Sequence, residues 1–285
     1  MAATSMVSSL SAREDLMPIV TDFGVCTSHK NFEILRAAGY GYVEDSTGRL
    51  LKPNKPDDAA TDAYLKELKE KQISILACNS FLPGSLKSVG PEARHEAILK
   101  YADTAFRRLK LVGGKGIVFG SSKSRNIPKG FDVKKAEAQF VSLLKKMAPL
   151  AQNHGVEVWL EPLNKKETNF IQTQVDGAKI IEQVGHPSLG MVCDIYHCAR
   201  NEEDPASLAK VAKHIRHCHI AEKAKRTAPG MENDDFTPWF RALHQGRYTG
   251  TMSVEGRWKN LKEQAVDVRV YMEKQLHQLA VKANK

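Results

Sequence analysis

Four stretches of the sequence each end an apolar run on a side chain that can hold a cation or move a proton: Val-Trp-Leu-Glu161, Val-Cys-Asp194, His-Cys-His219 and Ser-Val-Glu255. Singly, an acidic residue after an apolar run is most often a helix N-cap or an ion-pair partner. In successive parallel strands, however, the last inward side chains converge on one point. Three carboxylates meeting there would repel and raise one another's pKa unless a cation sat among them. One imidazole with three carboxylates suits a single divalent ion. Oxygen-rich ligation without thiolate favours Mn²⁺ or Mg²⁺ over Co²⁺ or Zn²⁺. An ion chelating a carbonyl oxygen and its neighbouring hydroxyl would acidify the carbon-bound proton between them by stabilising an enediolate. Two carboxylates on opposite faces would then invert that carbon. One carboxylate shuttling the proton between carbons would isomerise, and loss of a β-hydroxyl would make a lyase.

The elements that must position these groups are legible as an alternation. Segments of strand character at residues 19–25, 41–44, 73–79, 116–120, 156–161, 191–195, 215–220 and 251–255 are separated by longer segments of helical period. This predicts an α/β fold, a single (β/α)8 TIM barrel over residues 16–285 preceded by a loose tail at 1–15. Helical spacing supports it. Ile98, Ala102, Ala105, Phe106 and Leu109 share one face, as do Ala136, Phe140, Leu143, Leu144 and Met147, and Leu261, Ala265, Val268, Met272, Leu276 and Leu279. Gly155 is placed to stop a helix in the left-handed conformation. Long loops at 45–57, 81–91, 121–131 and 223–234 all follow strands, so they should build up the C-terminal face where barrel sites lie.

Composition narrows the function classes. With 285 residues and 42% hydrophobic content, the chain matches one barrel, for which about 250 residues is typical. The net charge of +9 is spread along helices and reads as a solvated basic surface, so a nucleic-acid partner is not expected. Five cysteines, mostly inside apolar runs and without a CxxC pair, read as reduced thiols in a reducing compartment, and a cytoplasmic location is expected. The first fifteen residues lack the basic start and apolar core of a signal peptide. No apolar run approaches the roughly 18 to 20 residues that span a bilayer, so no membrane association is expected.

The stretches Leu-Glu161-Pro-Leu-Asn164-Lys-Lys-Glu167, Asp194-Ile-Tyr-His197, His219-Ile-Ala-Glu222 with Arg226 and Pro229-Gly230, and Ser253-Val-Glu255 carry a resemblance. The chain resembles the xylose isomerase-like barrel superfamily, which includes ketose 3-epimerases, hydroxypyruvate isomerase, inosose dehydratase and endonuclease IV. The match spans nearly the whole barrel but is weak before Cys78-Asn79-Ser80-Phe81. The resemblance implies that Glu161, Asp194, His219 and Glu255 bind the metal and that Glu161 and Glu255 are the acid/base pair. It also implies Glu167, His197 and Arg226 as substrate contacts, a small sugar as substrate, and a homo-oligomer, dimer or tetramer. In the family pattern the arginine lies six residues after the ligand histidine. Here Lys225 holds that place and Arg226 follows it.

Asn164 and Asn79, within the matching stretches, join the expected substrate-binding set. Trp258 joins it as a residue that could stack on a sugar ring or simply cap the barrel. His197, three residues past Asp194, should reach the pocket from the same strand end, whereas His217 should lie one layer deeper as a packed or supporting histidine. Lys223, Lys225, Arg226, Arg257 and Lys259 could hold a phosphate or form a solvated rim. The expected reaction is metal-dependent epimerisation or isomerisation of a ketose or related small hydroxy-carbonyl sugar. The alternative is a lyase or hydratase acting on keto-sugars or 3-keto-glycosides. A sugar-binding barrel without catalysis is more remote, since both acid/base carboxylates are present. A nuclease of the endonuclease IV kind is remote too, because that enzyme needs three zinc ions and places histidines where Asn79 and Gly120-Ser121 stand here.

Overall fold

The computed structural model describes residues 19–283, with side chains described up to residue 278; the expected tail and Leu279 of the last helical stripe lie outside this. Each predicted strand is present, with bounds differing by a residue or two: β1 Val20–Cys26, β2 Tyr42–Ser46, β3 Ile75–Asn79, β4 Gly116–Phe119, β5 Glu157–Leu160, β6 Leu189–Asp194, β7 Ile215–Ile220 and β8 Gly250–Val254. They close in sequence order into one barrel, and all neighbours are parallel, including β1 with β8. The fold is a TIM barrel.

Among the described residues one main helix lies after each strand: α1 Phe32–Ala37, α2 Ala59–Glu70, α3 His95–Val112, α4 Val133–Asn153, α5 Gln174–Val184, α6 Ser207–Val211, α7 Thr237–Gln245 and α8 Leu261–Ala283. Their apolar stripes are buried as the spacing predicts. Ile98, Ala102, Ala105, Phe106 and Leu109 of α3 and Ala136, Phe140, Leu143, Leu144 and Met147 of α4 are all inaccessible to solvent. The α4 helix starts where Asp132 accepts a hydrogen bond from the Lys135 amide. After it, Gly155 takes φ 66 and turns the chain into β5.

Two of the loops carry short helices of their own. Thr47–Leu50 follows β2 and Ser122–Arg125 follows β4, so the segments read as loops at 45–57 and 121–131 are partly helical. A third short helix, Ile195–Arg200, starts directly from the end of β6.

The main core lies between strands and helices. A second, small apolar cluster of Ala77, Val118, Trp159 and Val192 fills the barrel interior on the β3 to β6 side. The other half of the interior, on β7, β8 and β2, is polar: His217, His219, Ser253, Tyr42 and Glu44 are all buried. That division places the buried imidazoles and Glu44 on one side of the barrel axis, while Glu161 and Asp194 stand at the strand ends of the other side. Among the described residues no helix is long and apolar enough to cross a membrane.

Candidate active site and metal centre

Glu161 follows β5, Asp194 ends β6, His219 is the penultimate residue of β7, and Glu255 follows β8. The ladders set Asp194 opposite His219 and His219 opposite Ser253, so the three strand ends present these groups at one level. One donor atom from each of Glu161, Asp194, His219 and Glu255 lies within 4.8 Å of the others. His219 Nδ1 is 3.1 Å from Glu161 Oε1 and 3.2 Å from Glu255 Oε2. Among the described residues every group of three or more potential ligands includes His219, which marks a single centre.

Three features fit a cation at this centre. Asp194 is buried and divides its two oxygens: Oδ1 caps the short helix by accepting from the Tyr196 amide at 2.8 Å, while Oδ2 is buried without a hydrogen bond among the described residues, with His197 Nε2 at 3.4 Å and Arg226 Nη2 at 3.7 Å. A buried carboxylate oxygen left without a donor is costly unless something positive reaches it. Gly120 supplies room, since a Cβ there would stand 2.2 Å from Glu161 Oε2. Finally, the donor set, one imidazole nitrogen and carboxylate oxygens, is one that divalent ions take.

Electrostatics separate the carboxyls. Burial holds Glu161 above the ordinary carboxylate range, against the opposing pull of its His219 hydrogen bond. Burial acts the same way on Asp194, reinforced by the Glu255 charge and opposed by Arg226, and brings it to about 6. At Glu255 burial is outweighed by the charges of His219 and Arg226, which take it down to about 2. His219 is itself raised: burial opposes its charge, but Glu44, Cys26 and Glu255 surround it.

Around this centre lies a cavity of about 290 Å³ lined in part by Glu161, Glu255, Glu167, His197, Arg226 and Asn79. Arg226 Nη2 donates to Glu255 Oε2 at 2.8 Å, and its guanidinium lies 4.6 Å over the Tyr196 ring. Arg226 has φ 55, while Lys225 pairs with Glu232 outside the cavity at 2.7 Å. The arginine thus reaches the centre from one residue beyond the family position.

His197 is buried, and its Nδ1 accepts from the side-chain amide of Asn164 at 2.8 Å, which leaves the proton on Nε2, 3.4 Å from Asp194 Oδ2. Burial keeps this imidazole below its usual pKa and therefore neutral.

Asn164 does not line the cavity. Its amide is spent on His197 and on Glu167 Oε1, at 2.8 Å each, so it aims two lining residues. Trp258 also lies off the cavity and packs against the main core. Of the basic cluster, Arg226 alone lines the cavity, and Lys223 faces Glu202 at 3.9 Å.

The sequence profile of the xylose isomerase-like TIM barrel family matches residues 32–275. The chain belongs to this family. It is 25% identical to an L-ribulose 3-epimerase of Methylomonas sp. strain DH-1 over 238 residues, covering 82% of this chain and 80% of that one. It is 29% identical to the 3-dehydro-D-guloside 4-epimerase of Escherichia coli K12 over 238 residues, covering 80% and 86%. Among solved structures, the apo 3-keto-D-glucoside 4-epimerase of E. coli superposes with a TM-score of 0.74 at 22% identity, covering 89% of this chain and 99% of that one.

Within this xylose isomerase-like barrel, sequence reasoning passed over several residues. Glu44 is wholly buried, with Oε2 3.0 Å from His219 Nε2. Its signal was an acid pair, Glu44-Asp45, closing the run Gly-Tyr-Val, with Glu44 in strand phase with Tyr42. Ser80 and Ser121, at the ends of β3 and β4, line the cavity with φ of 51 and 37. Left-handed backbone at non-glycine residues concentrates at functional sites, but it has no signature in the sequence. Ser122 and Lys123 complete that wall.

Proposed function

We propose that this protein is a divalent-metal-dependent epimerase or isomerase of a ketose or related small hydroxy-carbonyl sugar. The observation that carries this reading is the convergence of Glu161 and Glu255 on one imidazole nitrogen, at 3.1 and 3.2 Å, with their proton affinities driven apart. Paired titratable groups whose environments push their pKa values apart are the mark of acid/base assignment. The family's sugar epimerases support the same reading.

Glu161, Asp194, His219 and Glu255 would hold the ion, Mn²⁺ or Mg²⁺ in preference to Co²⁺ or Zn²⁺ for an oxygen-rich set. When bound, it supplies Lewis-acid polarisation of the substrate carbonyl and its neighbouring hydroxyl, which acidifies the C–H between them. Glu255, the stronger acid and so the ionised partner, accepts that proton. Glu161, which burial keeps readier to carry a proton, delivers one back. Return to the same carbon from the other side inverts it; return by a single carboxylate to the neighbouring carbon isomerises. His197, with its proton on Nε2, donates a hydrogen bond to a substrate oxygen, and Asn164 keeps it in that tautomer. Arg226 holds the Glu255 carboxylate in place. Glu167, Arg226 and Asn79 line the space left for the sugar's hydroxyls.

A keto-glycoside substrate, through epimerisation or through loss of a β-hydroxyl, is the second reading. The similarity to the E. coli 3-dehydro-D-guloside 4-epimerase over most of both chains favours it. Solvent deuterium exchange decides. Free ketoses and 3-keto-glycosides incubated in D2O with Mn²⁺ or Mg²⁺ should take up deuterium beside the carbonyl by NMR, and EDTA should stop it. Absence of metal-dependent exchange across both substrate classes overturns the enzymatic reading.

A further inference from the structure

Glu44 contributes a full carboxylate to the inside of a barrel, wholly removed from solvent. Burying an ion in a low-dielectric interior costs several kcal/mol even after relaxation. An aliphatic side chain in this layer would carry no such penalty, and the β3 to β6 half of the same interior is apolar. Glu44 therefore stands against the local trend, and its partners show where its charge is directed.

Oε2 takes up every hydrogen bond the carboxylate makes. It is 3.0 Å from His219 Nε2, 3.2 Å from His217 Nε2, and accepts from Ser253 Oγ at 3.2 Å. Oε1 is buried without a partner. The β2 and β7 strands are not neighbours in the sheet, so the contact to His219 crosses the barrel interior. His217 is held in turn: Thr251 Oγ1 lies 2.8 Å from its Nδ1, and the Trp159 ring stacks on it at 5.3 Å. The two imidazoles thus offer Nε2 to one oxygen, from two layers of one strand.

We propose that Glu44 is a positioning residue for the metal centre: by accepting the Nε2 proton of His219 across the barrel, it fixes the tautomer and ring plane that turn the Nδ1 lone pair toward Glu161 and Glu255. The inference deepens the metal reading above and rests on it. An imidazole that coordinates through one nitrogen is oriented, and made a stronger donor, by an acceptor at the other. Without Glu44, the remaining partner of Nε2 among the described residues is Cys26 Sγ, at 3.8 Å, a weak and distant acceptor. Either nitrogen can then carry the proton, and the ring loses its lock. His217 and Ser253 hold Oε2 in place as its second and third partners, from β7 and β8.

The test is Mn²⁺ affinity of the whole protein, read by EPR of free Mn²⁺, together with long-range ¹H–¹⁵N NMR of the histidine rings in the Mg²⁺-loaded protein. Glu44→Ala should weaken Mn²⁺ binding about 10- to 100-fold and leave His219 as a mixture of tautomers. Glu44→Gln, nearly isosteric, retains an acceptor oxygen without the charge and should fall between wild type and Glu44→Ala. Excess metal should restore much of the rate of either variant. Variants with wild-type affinity and an unchanged His219 tautomer, altered only in melting temperature, reduce Glu44 to a structural part and overturn the proposal. Should neither variant fold, the wild-type spectrum still decides: a loaded protein with the proton on His219 Nδ1 overturns it. A wild-type protein that binds neither Mn²⁺ nor Mg²⁺ sinks the metal reading itself, a result distinct from variants that bind as well as wild type.

Discussion

Arg226 lies between Glu255 and Tyr196: its guanidinium donates to the Glu255 carboxylate at 2.8 Å and spreads its face 4.6 Å over the Tyr196 ring. Its position is thereby fixed on two sides, and its charge is one of the two that hold Glu255 ionised. Replacement by methionine removes that charge. Arg226→Met should move the acid limb of the kcat/KM profile to higher pH, by on the order of one unit, and lower kcat/KM about 10- to 100-fold. An acid limb left in place would separate Arg226 from the protonation of Glu255.

Glu161→Gln and Glu255→Gln should each reduce turnover by at least about a thousandfold, since each removes a proton carrier and a candidate ligand together. The fold should survive. Glu161 is held above the ordinary carboxylate range by burial and the Glu255 charge, so the metal-free melting temperature of Glu161→Gln should hold or rise, whereas Glu255→Gln, which gives up the pairing with Arg226 and His219, should lower it. Near-normal turnover in either variant contradicts the acid/base assignment.

Two groups of the metal-free centre contribute stability that falls as pH rises, against the opposite sign of His197 and His217, whose pKa values burial lowers. Asp194 is raised from 3.8 to about 6 and His219 is raised well above 6.5. Both bind protons more tightly folded than unfolded, so their contribution is complete below the unfolded values. It is lost as pH climbs through the folded ones: first between 3.8 and about 6, then above 6.5. A divalent ion competes with the same protons. The gain in melting temperature on adding Mn²⁺ should therefore be larger at pH 8 than at pH 5, and equal gains by calorimetry would disprove the linkage.

His197→Ala should raise KM several-fold with metal affinity largely retained, because Asn164 occupies Nδ1 and leaves the proton on Nε2, so the ring lines the cavity with no free lone pair to offer an ion. Asn164→Ala, which removes only the group aiming His197 and Glu167, should raise KM in the same direction. Loss of metal from His197→Ala, measured by metal analysis of the purified variant, would instead place His197 among the ligands.

Much of this architecture is written in local pattern. The apolar stripe of α3 and the strand-end acids Glu161 and Asp194 follow from periods of 3.6 and 2 that each segment carries by itself. Parallel strands in a closed barrel then bring their ends to one face without further information. So the barrel, and the meeting of Glu161, Asp194, His219 and Glu255, could be read from residue order.

What residue order could not decide depends on contacts across the barrel or on side-chain choices settled by packing. Asn164 sits in the motif that suggests a substrate contact, yet its amide turns to His197 and Glu167. Trp258 packs on the core rather than lining the cavity. Asp194 was legible either as a helix cap or as a ligand, and its two oxygens are divided between one that caps the helix and one buried without a hydrogen bond beside His197 and Arg226. Glu44 meets His219 from a strand that is not its neighbour, 175 residues away in the chain. The sequence by itself determined the scaffold and the strand-end groups, because periodicity is a property of each segment alone. Only the tertiary structure decided the partners behind them, because a hydrogen bond across the barrel interior depends on closure, which brings together atoms that no local pattern relates.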